Sequence, residues 1–293
     1  MTAAPQPVTP PASPVALSVF SALLEARTGQ QIASYRSWRI DTALKPLLRE
    51  RRLQTLDQLV TLLLDGQDQR IGDQIVDALV NQETSFFRDA PTFDMVAEAV
   101  AAAEAEGRRA RIWCAGCSTG QEPLSLAMLF AERQGGGDSP TAGRAVPEIV
   151  ATDVSDAAIA RGKAGRYTQF EIQRGLPIRR MMRWFEADGS DWVARPELTR
   201  LVTFRRHNLV ADLPPSGPFD VILCRNVLLY LSATAKADVF ARFSTAIRPG
   251  GTLVLGAGET VIGQTRAFEP SRRLRGLYER IGTASRANKA AAA

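Results

Sequence analysis

Near residue 108 the apolar residues change their rhythm, and that change limits the folds open to this chain more than any other feature. Upstream, Leu53, Leu56, Leu59, Val60 and Leu63 recur three and four apart; after a break at Asp65-Gly66, Ile71, Ile75, Ala78 and Leu79 repeat the pattern. That spacing lines one face of a helix, so residues 15–80 read as an all-helical N-terminal domain. Downstream the apolar residues come in short unbroken runs. These are Arg111–Ala115, Glu148–Thr152 ending in Asp153, Phe219–Cys224 and Thr252–Ala257. Helical stretches at about Pro123–Arg133, 155–163 and 234–247 separate them. Strands alternating with helices predict an α/β domain with a doubly wound parallel sheet, over residues 81–281. Residues 166–205 are too long for a simple crossover. They read as a small inserted β-subdomain, with a helix around Arg179–Phe185, a turn at Asp188-Gly189 and short strands near Trp192–Ala194 and Leu201–Arg205.

Composition acts mainly by exclusion. The 293 residues contain one histidine, His207, so multi-histidine metal sites are impossible and any Ser-His-Asp scheme must use it. Three cysteines are too few for a disulfide framework. No apolar run reaches the roughly 18–20 residues that cross a bilayer, and Met1–Pro14 lacks the basic-then-apolar order of a secretory signal. A cytoplasmic location without membrane insertion is expected. The net charge is +5, and residues 271–293 hold six basic residues against Glu279, which accounts for all of it. The body is balanced, so the basic excess does not argue for nucleic acid. Residues 1–14 carry five prolines and no charge and read as a disordered lead-in; residues 282–293 read as a flexible basic tail.

Three loops could carry chemistry. Strand, Gly116-Cys117-Ser118-Thr119-Gly120 and helix form a nucleotide-binding arrangement, in which glycines admit a close ligand and a helix N-terminus offers free N–H groups. The spacing is neither G-x-G-x-x-G nor a Walker loop, and a merely structural turn is the competing reading. Asp153, at the end of the second strand, is positioned to accept ribose hydroxyls, or else to cap the next helix. Arg225-Asn226 follows an apolar strand on the rim where open α/β sheets bind ligands; a plain turn is the alternative. Cys114-x-x-Cys117 begins inside a strand, which favours buried small side chains over redox or metal chemistry. Asn81–Asp89 joins the two domains and lines up Gln82, Thr84, Phe86, Phe87 and Arg88; the aromatics could be a plug and the arginine a surface charge.

Four of these stretches, Thr84–Arg88 (TSFFR), Cys117–Met128 (CSTGQEPLSLAM), Ala151–Val154 (ATDV) and Cys224–Tyr230 (CRNVLLY), together resemble the chemotaxis receptor glutamate methyltransferases, the CheR family. The resemblance covers about residues 15–281. It implies a class I S-adenosylmethionine-dependent methyltransferase sheet behind a helical domain. It also implies methyl transfer to glutamate side chains on the cytoplasmic helical bundle of methyl-accepting chemoreceptors, with S-adenosylhomocysteine as the other product. Carried over by motif, the implied cofactor contacts are Gln82 (where the family has asparagine), Thr84, Arg88, Glu122, Asp153, Asn208, Leu209, Asn226 and Val227. Arg88, Arg225 and Tyr230 are the implied positioning residues, the last two as lining of the acceptor channel.

Glutamate is already ionised at neutral pH, its pKa being about 4.3, so the reaction needs no general base. In the family the helical domain presents basic residues to acidic receptor helices. Here Arg36, Arg39, Lys45, Arg49, Arg51 and Arg52 outnumber Asp41 and Glu50, although a solvated helix face has the same composition. Some members add a receptor's C-terminal peptide to an edge of the inserted β-subdomain. The turn from Glu186 through Trp192 lacks a glycine-rich extension, so a tether-independent enzyme is expected. A same-fold methyltransferase acting on RNA, motivated by the basic tail, and a non-catalytic cofactor-binding module are the alternatives.

Overall fold

The computed structural model describes residues 13–134 and 145–282, and the chain forms two compact units that divide between Asn81 and Gln82. The first unit is helical: α1 (Pro14–Thr28), α2 (Trp38–Glu50), α3 (Leu56–Asp65) and α4 (Ile71–Leu79). Local chemistry sets their ends. Ser13 Oγ accepts from the Ala16 N–H, and Pro14 opens α1 where its missing donor costs nothing. Pro14, the last residue of the expected lead-in, therefore begins a helix that Ser13 caps, and the rest of the lead-in lies outside the described residues. Thr55 and Gln58 form a capping box at α3, and Gly66 closes that helix in the left-handed conformation. Leu53 thus precedes α3 rather than belonging to it. Phe20, Leu24, Ile40, Leu44, Leu59 and Ile75 fill the core.

The expected basic patch loses a member here. Arg51 donates to Asp68 (2.7 Å) and to Gln74, inside the unit, and so braces the end of α2 against α4 and the turn ahead of it. Arg36, Arg49 and Arg52 are exposed.

The second unit opens with α5 (Ala90–Ala105) and continues β1 (Arg111–Ala115), α6 (Gln121–Gln134), β2 (Glu148–Asp153) and α7 (Asp156–Ala164). Next come β3 (Arg166–Thr168), α8 (Gln169–Gln173), α9 (Ile178–Trp184), β4 (Phe185–Asp188), β5 (Asp191–Ala194) and α10 (Pro196–Thr199). The chain ends β6 (Val202–Arg206), β7 (Phe219–Cys224), α11 (Ala233–Ala246), β8 (Ile247–Leu255), β9 (Phe268–Pro270) and β10 (Tyr278–Arg280). Seven strands form one sheet in the order β6-β2-β1-β7-β8-β10-β9. It is parallel from β6 to β8, with β10 antiparallel to both its neighbours.

Side chains alternate across it. Ile112 and Cys114 of β1 join the core on one face, Trp113 and Ala115 the core on the other, as the two-residue period of a strand covered on both sides requires. From β1 the chain winds outward to β2 and β6 in one direction, then returns to β7 and β8 in the other. The crevice beyond the carboxyl ends of β1 and β7 is therefore the topological switch point.

The insert is shorter than expected. Its own sheet is β3-β5-β4, antiparallel, whereas Val202–Arg206 pairs with β2 from Ile149↔Val202 to Asp153↔Arg206. Val202 and Phe204 are buried there. The Phe204 ring lies so close to Gly162 that a Cβ on that glycine would come within 2.6 Å of it. Period-two alternation fits either sheet, and packing of Phe204 on α7 selects the large one.

Phe86 fixes the segment 84–88 to this insert. Fully buried, it meets Tyr167 edge-on at 5.1 Å and Phe185 at 5.6 Å. Gly175 comes so close to the Phe86 carbonyl that a Cβ would be 2.0 Å from its oxygen. Replacing Phe86 with alanine empties an aromatic cluster with no room to collapse. A loss of about 3–5 kcal/mol is expected, measured as a shifted midpoint in urea unfolding.

Candidate active site

The loop after β1 turns on its own backbone. Gly116 and Cys117 both donate to the Thr152 carbonyl, at 2.8 and 2.9 Å, and so knot the ends of β1 and β2 together. Ser118 has left-handed backbone (φ 50°), which aims its N–H at Asp153 Oδ2, 2.8 Å away. Asp153 Oδ1 accepts from the Ser155 N–H at 3.0 Å, while the cap of α7 is Ser155 itself, whose Oγ accepts from Ala158. Gln82 closes the group: its carbonyl accepts from Ser118 Oγ (2.9 Å) and its Nε2 donates to Ser155 Oγ (3.0 Å). Gln82, the glycine loop and Asp153, far apart in sequence, thus form one hydrogen-bonded cluster. The Asp153 carbonyl accepts from the His207 N–H at 2.9 Å. That bond sets the start of the stretch carrying Asn208 and Leu209. Asn208 Oδ1 accepts from Val210 in a tight turn (3.0 Å), and the Leu209 carbonyl accepts from Arg242 (2.9 Å).

A second cluster surrounds Arg225. Its side chain is only 4% exposed. It donates to Glu122 Oε2 at 3.0 Å, to the Arg88 carbonyl at 3.1 Å and to the Asp89 carboxylate. Arg225 is therefore an internal bracket joining the end of β7, the start of α6 and the segment 84–89, rather than an open channel wall. Burial pushes the Glu122 carboxyl above the ordinary carboxylate range, and Arg225 pulls it partly back. Arg88 pairs with Glu83 at 3.0 Å, and Glu83 also meets Arg174 at 2.6 Å; these two arginines hold the Glu83 carboxyl below its usual range. Phe87 (φ 48°) and Asp89 (φ 57°) both have left-handed backbone. The Phe87 N–H is held by Ser125 Oγ at 3.1 Å, which donates in turn to the Gln121 carbonyl at 2.6 Å. Thr84 lies half-buried in the same segment.

The third wall is the stretch after β7. Asn226 is left-handed (φ 61°). Val227 packs against the glycine loop, where a Cβ on Gly116 would be 2.5 Å from Val227 Cγ2; any side chain on Gly116 would fill the space between the two loops. Tyr230 ends a short 3-10 turn, Leu228–Tyr230. Four strained non-glycine residues (Phe87, Asp89, Ser118 and Asn226) thus border this one crevice, and such strain concentrates where function needs a fixed geometry.

Sequence reading did not single out Ser155, Asp89 and Glu259, which carry no motif of their own: Ser155 and Glu259 accept from main-chain N–H groups, and Asp89 accepts from Arg225. Glu259 accepts from Asn226 (2.9 Å) and Gly256 (2.8 Å). The only sequence signal for Asp89 was an acid beside the TSFFR stretch. Cys114, Cys117 and Cys224 are buried, and burial raises each thiol well above its usual range. Thiolate chemistry is disfavoured accordingly.

A parallel sheet with its last strand antiparallel, and a crevice at its switch point walled by a glycine loop, a strand-end acid and a buried Glu–Arg pair, is the layout of an S-adenosylmethionine-dependent methyltransferase. Comparison with known proteins carries this further. Residues 82–276 match the family described as CheR methyltransferase, SAM binding domain. The chain is 35% identical over 249 residues to chemotaxis protein methyltransferase 1 of Pseudomonas aeruginosa, covering 83% of this chain and 89% of that one. It is 33% identical to chemotaxis protein methyltransferase Cher2 of Pseudomonas putida (83% and 90% covered) and 35% identical to the chemotaxis protein methyltransferase of Vibrio anguillarum (85% and 90%). The chain belongs to the CheR methyltransferase family. Its cofactor is S-adenosylmethionine, and these relatives lend no support to an RNA acceptor. Among the described residues no helix is long and apolar enough to cross a membrane.

His207 reports on this site from behind. Its ring packs edge-on against Trp113 at 5.6 Å, and Nδ1 lies 3.8 Å from Asp212. Burial lowers its pKa below 6.5, with Arg242 adding to the effect and Asp212 opposing it. A depressed histidine pKa means that the unfolded chain binds more protons between the folded midpoint and about 6.5. The stability it contributes is complete above that window and is lost as pH falls through it. As the chain's one histidine, it should give a single imidazole NMR titration with a midpoint below 6.5. Replacing it with glutamine should flatten the pH dependence of unfolding in that window.

Proposed function

We propose that this chain is a protein-glutamate O-methyltransferase acting in the cytoplasm on the helical bundle of methyl-accepting chemoreceptors. Its products are a glutamate γ-methyl ester and S-adenosylhomocysteine. The observation that carries the reading is the donor set of the switch-point crevice: two acids, an arginine and several amides around a loop that cannot bear a side chain at Gly116. When bound, S-adenosylmethionine supplies a methyl group on a positively charged sulfur. Its other groups are a ribose diol, an adenine, an ammonium and a carboxylate, and each has a chemical match here.

Asp153 would accept the ribose hydroxyls. Ionised, a carboxylate only accepts hydrogen bonds, and the amides of Ser118 and Ser155 hold this one in place at the end of β2. Glu122, held beside the buried Arg225, suits the ammonium. Arg88 suits the carboxylate. Gln82, Thr84, Asn208, Leu209, Asn226 and Val227 would frame the adenosine, and Tyr230 would line the acceptor channel.

The chain's own residues have little proton chemistry to perform. The acceptor carboxylate is ionised at neutral pH, so orientation and exclusion of water are the enzyme's work. Arg225 keeps the Arg88 carbonyl and the Asp89 carboxylate close to Glu122, which fixes two proposed contacts with one side chain. His207 is turned into the core against Trp113, and no base is required of it. That most of these groups are preset by internal hydrogen bonds supports a site that binds its donor with little rearrangement.

The decisive experiment incubates the chain with radiolabelled donor and receptor-bearing membranes. Base-labile label on receptor is expected; label on RNA, or donor binding without transfer, overturns the reading. Asp153→Ala should weaken binding of S-adenosylhomocysteine about 10- to 100-fold, the weight of hydrogen bonds to a charged group. Unchanged affinity by calorimetry would remove Asp153 from the cofactor site.

Docking of the receptor falls to the exposed arginines of the helical unit. The double change Arg49→Glu with Arg52→Glu, which spares the structural Arg51, should raise the KM for receptor several-fold while leaving donor affinity alone. An unaltered KM would assign docking elsewhere.

A further inference from the structure

Beyond the carboxyl ends of β7 and β8 the hydrogen-bond ladder stops. The two strands are paired as far as Cys224↔Leu255, and the next donors, on Asn226 and Gly256, have left it. Main-chain donors shielded from water need acceptors, and one carboxylate serves both. Glu259 Oε2 accepts from the Asn226 N–H at 2.9 Å and the Gly256 N–H at 2.8 Å, and Oε1 accepts from the Leu229 N–H at 3.2 Å. A single acid thus ties two loops leaving adjacent strands, with charge-assisted bonds.

The fit is close. A Cβ on Gly256 would stand 2.9 Å from Asn226 N, from Asn226 Nδ2 and from Glu259 Oε2, so a side chain there would push the loops apart. Asn226 itself is held in left-handed backbone at φ 61°, a conformation that asparagine tolerates but that needs its surroundings to persist. The next residue, Val227, packs on the Gly116 loop. Contact therefore runs from Glu259 through Asn226 and Val227 to the loop after β1. The Glu259 charge is also felt at Glu122, whose carboxyl it helps to push up.

We propose that Glu259 is a positioning residue for methyl transfer, holding Asn226, Val227 and Tyr230 in the arrangement that binds the donor and admits the acceptor. The proposal rests on the function argued above. It gives a task to an acid four residues past the end of β8, whose bonds are to main-chain amides of the site loop rather than to a basic partner.

The test uses the full chain with Glu259→Gln and Glu259→Ala. Without ligand, hydrogen exchange at the Asn226 and Leu229 amides should accelerate about tenfold, the loss of one net hydrogen bond each. The Kd for S-adenosylhomocysteine should rise about tenfold, and kcat should fall with it. The glutamine variant, which keeps one oxygen acceptor, should lie between wild type and alanine. Gly256→Ala, which crowds the clasp and leaves the acid intact, should reproduce the loss of donor affinity and carries the test if the alanine variant fails to fold. Faster exchange or a lower Tm with donor affinity and kcat near wild type would make Glu259 structural only and overturn the proposal, as would unchanged exchange. A wild-type chain that binds no donor overturns the functional reading as well; wild-type binding with indifferent variants overturns this proposal alone.

Discussion

One guanidinium group does most to assemble the crevice. Arg225 leaves β7 almost fully buried and reaches Glu122 at the head of α6, the Asp89 carboxylate and the Arg88 carbonyl. A buried charge is tolerable only when paired and hydrogen-bonded. The arginine can therefore be accommodated only where two acids and a carbonyl converge, and their convergence brings the Thr84–Arg88 segment over the sheet edge. Were Arg225 removed, Glu122 would lose its charged partner while still largely buried. An interaction of this kind adds little net stability but admits few alternative arrangements.

Around that bracket the backbone is strained in a consistent way. Phe87, Asp89, Ser118 and Asn226 all take left-handed conformations that cost an L-residue free energy. Three of the four are offset by a bond to their own amide: Ser125 to Phe87, Asp153 to Ser118, Glu259 to Asn226. The side chains that do this are short polar ones acting on main-chain N–H groups. The site is rigid because its loops are held at their amides, not because they are packed with large residues. The aromatic cluster of Phe86, Tyr167 and Phe185 supplies the packing from behind.

Much of this was legible in the residues. The runs at 111–115, 148–153 and 219–224 are strands because both faces are covered, so their apolar residues are continuous. Asp153 and the Gly116–Gly120 loop could be singled out because a strand-end acid and a glycine turn are local features. Other elements were opaque for physical reasons. Val202–Arg206 alternates identically whether it pairs with the insert or with β2. β9 and β10 have three residues each, too few to show a period. Arg51 looks like its exposed neighbours in a charge count, yet it is spent on Asp68. Glu259 acts on backbone amides, which every residue but proline possesses, so nothing in its partners' identities marks it.

The sequence alone determined the class of fold, the helical-then-α/β division of the chain and the family resemblance, because these follow from local period, turn chemistry and short motifs that need no distant contact. Which residues became neighbours was decided by tertiary structure. Gln82 beside Ser155, Arg225 between Glu122 and Asp89, and Glu259 under Asn226 are 73, 103, 136 and 33 positions apart respectively in their pairings. Contacts at such separations exist only once the sheet has wound outward from β1 and back to β7, carrying all these loops to one edge.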